Sequence, residues 1–440
     1  MTSADMRKVI KGRVLGPGDA GFDEARKAWN LTVDQPVAAV VEAEDAEDVA
    51  ALVRYARRSG LAVTAQAGGH DASGDVEGAI LLRTGRLDGL RVLAAERVAR
   101  VGAGVNWGSV LSAVGPHGLT GLAGSSPVVN VVGYTLGGGL SWFGRRYGWA
   151  ADSVRAFDIV DADGDRTRVS AASDPGLFWG LKGGGGDFAL VTSLEFALHP
   201  APSVYGGRVI WPQERAGAVF ELFRKLTDGA PRELTVWFNR FGFPGAPPMV
   251  ALDLTFLGDP REGAALVRGI DGIDGAISDD RGIVAVPDLG GIAAEPTAPA
   301  ASLPRAELLT RLDEGLATEP IDPLISVQIR HLSGALAEPG TGASGALPEP
   351  YLLQMVGSGP DPDRARAVRA RQAEIVGRFE DIMAGRKPYT LLTPEETAAD
   401  AFTEPVLARL RELKRSRDPH GVFRANHPVL KQAIREDDRV

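Results

Sequence analysis

The sequence contains no cysteine in 440 residues, which excludes structural disulfides, thiolate-ligated zinc, iron–sulfur clusters and a cysteine nucleophile. Histidine is nearly as scarce. The six present, His70, His117, His199, His331, His420 and His427, show none of the HxH, HxxxH or HExxH spacings that place two ligands on one metal, so no metal is expected. Basic charge is also in deficit, with 48 Lys and Arg against 57 Asp and Glu, and no Lys/Arg cluster forms the footprint that phosphate backbones require. A nucleic-acid partner is therefore not expected. The opening "MTSADMRKVIKGRV" has no apolar core of the secretory type, which reads as cytoplasmic. No internal repeat is present. With 44% hydrophobic and 24% charged residues the chain has enough apolar mass for a buried core, and its length calls for two domains rather than one.

One absence is local. From Val101 through Gly144 there is no Asp, Glu, Lys or Arg, although Arg100 and Arg145 flank the stretch. Glycines, prolines and polar residues interrupt it too often for a membrane-spanning helix, so a membrane partner is not expected. The better reading is main chain packed closely around a buried ligand, because glycine permits close approach and its N–H groups bind phosphate without charged side chains. A second glycine cluster, "LKGGGGDFALVTSLEFAL", runs from Leu181 to Leu198; alone it is a tight turn before a strand.

Ahead of these lies a strand–helix–strand pattern, "VAAVVEA", "EDAEDVAALVRYARRSG" and "LAVTAQ". Val49, Leu52, Val53 and Ala56 recur at helical spacing, and Gly60 supplies a left-handed stop. The loop that follows is "QAGGHDASG", with His70 beside two glycines. After about Pro200 strand-like runs dominate, namely "ELTVWFNRF", "MVALDLTFL", "PLISVQIRHL" and "EPYLLQMVG", while "AEPTAPAASLPRAELL" reads as an exposed loop leading into a helix. "VARVGAGVNWGSVLSAV" has the strand–glycine–helix order of a dinucleotide fold, but Gly102, Gly104 and Gly108 are spaced one residue too far and no acid follows to hold a ribose. "GSS" at 124–126 is not the nucleophile elbow of a serine hydrolase.

Six segments in order, "QAGGHDASG", "GAGVNWGSV", "GLAGSSPVVNVVGYTLGGGLSWFGRRYGWAADSV", "FWGLKGGGGDFALVTSLEF", "HLSGALA" and "LKRSRDPHGVFRANHPV", resemble the berberine bridge enzyme-like flavoprotein oxidases of the vanillyl-alcohol oxidase superfamily. The resemblance covers nearly the whole chain. It implies an α+β fold with a PCMH-type, two-subdomain FAD-binding domain over 1–203, a substrate domain with an antiparallel sheet backed by helices over 204–392, and a C-terminal segment, 393–440, returning to the FAD domain. It implies FAD bonded covalently to the His70 ring. It also implies cofactor contacts from Gln66, Ala67, Gly68, Gly69, Asp71 and Gly74; from Gly124, Ser125, Ser126, Val129, Gly133, Tyr134, Gly137, Gly138 and Gly148; and from Val191 and Asn426.

Departures from the family pattern refine this. Ser126 stands where many relatives carry a second, cysteine attachment, and a serine oxygen is too poor a nucleophile to replace it, so a single bond is expected. Val129 occupies the family's gate position over the flavin, where a small residue is similar to the oxygen-reactive members. Gln66 replaces a frequent arginine, and Leu391 and Leu407 replace polar family positions, which reads as a fairly apolar pocket. Tyr389 is the first choice for catalytic base, with Asn239, Arg240, Gln328, Tyr351 and Gln354 behind it. The expected activity is oxidation of a small molecule, most in keeping with a secondary metabolite, with molecular oxygen as acceptor. The competing readings are a dehydrogenase using another acceptor and a flavin-bearing protein that sequesters a small molecule.

Overall fold

The strand–helix–strand unit forms as its pattern requires. Helix Ala46–Ser59 starts at Asp45, whose side chain accepts from the Asp48 N–H, and stops at Gly60 in the left-handed conformation, φ 65°. Its apolar stripe buries Val49, Leu52, Val53 and Ala56 against a four-stranded sheet ordered Arg13–Leu15, Ala39–Glu42, Ile80–Arg83, Val63–Gln66. The first pair is antiparallel and the others are parallel. Strand Val63–Gln66 thus delivers its C-terminal end, and the histidine loop after it, to one rim of this sheet.

These elements come from a computed structural model that describes residues 3–430. The last ten residues of the expected C-terminal segment, 431–440, lie outside the described residues.

A second, antiparallel sheet of five strands follows, ordered Leu90–Leu93, Val98–Gly102, Leu190–Ala197, Val154–Val160, Arg166–Ser170. The uncharged stretch wraps around it as helix Trp107–Val114, helix Val131–Leu136 and the loops between, and buries Trp107, Val110, Val131 and Trp142 in one core with the sheet. The glycines that mimic a dinucleotide loop have a packing reason instead. A Cβ on Gly102 would sit 2.0 Å from the Leu87 carbonyl oxygen, and one on Gly104 2.5 Å from that of Thr84.

Strand Val204–Pro212 begins the largest sheet, eight antiparallel strands whose main path is Ser278–Asp279, Val204–Pro212, Met249–Leu257, Leu234–Phe241, Ser326–His331, Tyr351–Ser358, Ser302–Leu309. The four strand-like runs of the sequence are all strands. Ser302–Leu309 corrects the reading of "AEPTAPAASLPRAELL" as an exposed loop leading into a helix: its second half is an edge strand, its partner Tyr351–Ser358 supplies the tertiary pairing, and an edge tolerates Pro304. Helices Ala216–Thr227 and Pro362–Arg378 pack on one face of this sheet over Phe220, Phe223, Phe238, Leu353 and Val368. The other face turns toward the first half of the chain, where Trp142 stacks on Trp237 at 3.6 Å between ring centroids and 14° between planes.

The chain closes on itself. After helix Glu404–Arg417, residues 422–424 run beside Val63, with Val63 N–H donating to the Val422 carbonyl and Arg424 N–H to that of Val63. The architecture is α+β. Among the described residues no helix is long and apolar enough to cross a membrane.

Candidate functional site

The rims of these elements enclose one large cleft, with an empty volume of about 1120 Å³, mouth included. Its walls are the loop after Val63–Gln66, the uncharged stretch around 129–137, the second glycine cluster, Tyr389 and Thr390, and residues 424–427.

His70 sits on this wall. Its ring stacks on Trp29 at 4.2 Å and 17°, and Trp29 N–H donates to the carbonyls of Gly68 and Gly69, so the loop is pinned from behind. Gly69 holds φ 76° and a Cβ there would lie 2.8 Å from the Gln66 side chain, which only glycine avoids. Burial pulls the His70 pKa down to about 4, leaving a neutral imidazole, and its Nε2 is buried with no hydrogen-bond partner. Next to it, Asp71 opens into the cleft, and the surrounding protein pushes its carboxyl up to about 6. It is the only acidic side chain among those lining the cleft.

The adjoining wall is built from distant sequence, and Gln66 Nε2 reaches Asn426 Oδ1 across 3.5 Å. Asp187, at the end of the "GGGGD" turn, accepts from Ala425 and Val429 N–H and from Lys414 Nζ. Lys414 Nζ also donates to Asp418 at 2.9 Å and to the Asp187 and Phe423 carbonyls at 2.7 Å each. This buried cluster holds Asn426 and His427 at the cleft. In the glycine turn, Gly185 at φ 89° lets the backbone pass the Tyr389 ring, whose hydroxyl would lie 2.6 Å from a Cβ.

Of the residues singled out from the sequence, Gln66, Ala67, Gly68, Gly69, His70 and Asp71 line the cleft, as do Val129, Gly133, Tyr134, Gly137, Val191, Tyr389 and Asn426. Six lie elsewhere. Gly74 packs by the Asp34 carbonyl, Gly124 against the Tyr134 ring, Gly138 against Ser344 and Trp149, and Gly148 by Asp152. Ser125 is buried and donates to Glu295, and Ser126 is buried without reaching the cleft wall. Sequence reasoning missed Asn130, Gly185, Gly186, Thr390 and Arg424 on the wall. Asn130 carried a usable signal, since it caps helix Val131–Leu136 by accepting from Gly133 N–H at 2.9 Å.

The candidate bases separate by the face they occupy. Arg240 donates to the carbonyls of Leu316 and Glu319, and Tyr351 bonds Thr227 and packs on Phe223, so both turn to the helix side of the large sheet. Asn239, Gln328 and Gln354 are in register on the other face. Tyr389 reaches the cleft, but its hydroxyl donates to the His427 carbonyl at 3.1 Å and burial raises its pKa, which opposes the phenolate a base needs. The apolar reading of the pocket loses its support: Leu407 is buried in the core with Leu410, and Leu391 packs against a core cluster, so neither lines the cleft. Among the described residues no His, Asp or Glu group is arranged to hold a metal.

Comparison with known proteins supplies the cofactor. Residues 37–170 match an FAD binding domain family. Over 96% of this chain and 97% of the relative, the sequence is 25% identical to (R)-6-hydroxynicotine oxidase of Paenarthrobacter nicotinovorans. The chain is an FAD-dependent oxidoreductase. A shorter match, 36% identical over 47% of this chain, spans 41% of the FAD-dependent monooxygenase FUP4 of Fusarium proliferatum. The fold of this oxidoreductase superposes on the BBE-like 1 protein of Physcomitrella patens with TM-score 0.86 and 19% identity, covering 98% of this chain and all of that one, so it has the berberine bridge enzyme-like fold. The cleft suits the cofactor of this oxidoreductase: three separate glycine-bearing segments, at 68–69, 133–137 and 185–186, line it together with His70.

Proposed function

We propose that the chain binds FAD in this cleft through a single covalent bond to His70 and oxidises a small molecule with dioxygen as the acceptor. The observation that carries the proposal is the neutral His70 ring on the cleft wall, stacked on Trp29 and without a hydrogen-bond partner at Nε2 among the described residues. A neutral imidazole keeps the lone pair that bond formation needs, and Trp29 holds the ring in one plane for it. Gly68, Gly69, Gly133, Gly137, Gly185 and Gly186 let main chain approach the cofactor, and Asn426 borders it from the C-terminal segment. Bound flavin supplies the two-electron chemistry, taking the pair from a substrate C–H bond and returning it to the acceptor.

The protein's part is placement. Tyr389, fixed through the His427 carbonyl and stacked on Phe402 at 5.3 Å, acts as a positioning group. Asp71, open to the cleft, supplies a carboxylate on its wall. Ser126, buried away from the cleft wall, forms no second attachment in this scheme. We keep the expected division at 203/204 and 392/393 as part of this proposal, with the substrate held between the flavin and the face of the large sheet opposite helices Ala216–Thr227 and Pro362–Arg378.

The test is acid precipitation of the purified protein. Yellow colour should remain with the wild-type pellet, and His70→Ala should release all of its flavin to the supernatant. A flavin that stays on the variant polypeptide overturns the assignment. A second expectation concerns the acceptor. Val129 is half-buried on the wall, and Val129→Leu adds a methylene where packing against a rigid ring is unforgiving. Reoxidation of the reduced flavin by air should slow by about tenfold or more, equivalent to roughly 1.4 kcal/mol of barrier, while anaerobic reduction by substrate changes little. Stopped-flow absorbance of the two half-reactions checks this, and equal loss in both would remove Val129 as the gate.

A further inference from the structure

The face of the eight-stranded sheet opposite helices Ala216–Thr227 and Pro362–Arg378 carries a polar array on its central strands. Asn239, Gln328 and Gln354 lie opposite one another on three neighbouring strands, and Trp237 and Arg330 form the adjacent row. Gln328 Nε2 donates to Asn239 Oδ1 at 2.5 Å, and Arg330 Nε donates to Gln328 Oε1. Gln328 and Gln354 are only half-buried although their strands are internal to the sheet, so this face opens onto space.

Arg330 is the unusual member. It is 9% exposed, its guanidinium lies 4.1 Å over the Trp237 ring, and that ring is backed by Trp142. The Glu295 carboxylate stands 3.8 Å away, beyond hydrogen-bond distance, and is itself engaged by Ser125. No described residue accepts a hydrogen bond from either terminal nitrogen of Arg330. A guanidinium has five N–H donors, and the terminal nitrogens of Arg330 are not among the fully buried atoms left without a partner, so their donors reach open space. Burial already lowers its pKa from the ordinary arginine value. Glu295 is bonded by Ser125, and the preceding Gly124 packs against the ring of Tyr134 on the cleft wall, so the array and the cleft are neighbours. Beside the arginine, Gln354 Oε1 is buried without a donor.

We infer that Arg330 recognises an acidic oxygen of the substrate, a carboxylate, phenolate or enolate. The inference rests on the proposed function in taking this face as the substrate side. A planar guanidinium backed by an aromatic ring presents paired donors in the geometry that oxyanions fit, and an oxyanion bonded to them would be held more closely than Glu295 at 3.8 Å. Glu295, 36% exposed on its side chain, is the anion that such a ligand displaces.

The test titrates the purified holoprotein with benzoate and with its neutral counterpart benzamide, reading heat of binding and perturbation of the flavin spectrum. Wild type should bind benzoate at least tenfold more tightly than benzamide. Arg330→Gln should erase the preference and Arg330→Lys should keep part of it. Glu295→Gln, which removes the competing anion, should strengthen benzoate binding severalfold and serves independently should the Arg330 variants not fold. Absence of an anion preference in wild type, its survival in Arg330→Gln, or benzoate binding weakened by Glu295→Gln overturns the inference. Flavin retention after acid precipitation is measured on the same samples, so a failed attachment and a failed anion site give different results.

Discussion

Lys414→Met is expected to cost about 3–5 kcal/mol of stability, the range for removing one partner of a buried charge pair, and to strip the flavin site of its C-terminal wall. The side chain is 7% exposed and its partners Asp187 and Asp418 are 1% and 0% exposed, so the variant strands two carboxylates with no cation between them. Those carboxylates also accept from Val422, Phe423, Ala425 and Val429 N–H, which means that the charge cluster and the course of residues 422–429 are one structure. Loss of the lysine should therefore appear first as proteolytic release of the segment after Arg417, and with it as weaker flavin retention. Combining Lys414→Met with Asp187→Asn and Asp418→Asn should recover part of the loss, because no unpaired charge remains. Denaturation midpoints with limited proteolysis check both statements; a Lys414→Met protein as stable as wild type refutes the account of the cluster.

Arg145→Leu should destabilise the junction between the first half of the chain and the large sheet by a comparable amount, roughly 3–5 kcal/mol, from several buried acceptors left without a donor. Arg145 is 3% exposed and donates to the carbonyls of Ala230, Pro231, Leu234 and Leu332 and to His331 Nε2. Because an arginine N–H only donates, His331 Nε2 must accept and the proton of that ring resides on Nδ1. Burial and the adjacent guanidinium hold the His331 pKa down to about 2, so it does not become a competing cation at any working pH. The stacked pair Trp142 and Trp237 sits at the same junction, and its fluorescence should shift to the red as the interface loosens. Arg145→Lys, with three donors on a compact head, should fall between wild type and Arg145→Leu. Unaltered tryptophan emission in Arg145→Leu refutes the assignment.

How much of this was legible in the sequence depended on the range of the interaction. The histidine loop was readable because its strand, its two glycines and His70 are consecutive, and the helix before it announced itself by a stripe and a stop. The Ser302–Leu309 strand was not, since Ala306, Glu307 and Leu308 favour helix locally and the strand exists through pairing with Tyr351–Ser358. Leu391 and Leu407 misled for a different reason: a position in a motif does not reveal which way the side chain turns. The Lys414 cluster was invisible because Asp187 is 227 residues away, and nothing local marks a lysine as buried. Arg330 looked like any strand arginine. Only the register of Leu234–Phe241 with Ser326–His331 set it over Trp237.

The pairing of residues 422–424 with Val63 bears on the order of events during synthesis. Gln66 and Asn426, 360 residues apart, touch at 3.5 Å beside this pairing, so the part of the cleft wall that carries His70 is incomplete until residue 426 has been made. At typical elongation rates of about 5–20 residues per second, the interval between the two residues is roughly 20–70 s. Through that interval the His70 loop waits, already stacked on Trp29 from its own end of the chain, while the sheets behind it assemble. If the cleft holds the flavin as proposed, nascent chains halted before Asp187 and Lys414 can meet are expected to retain none.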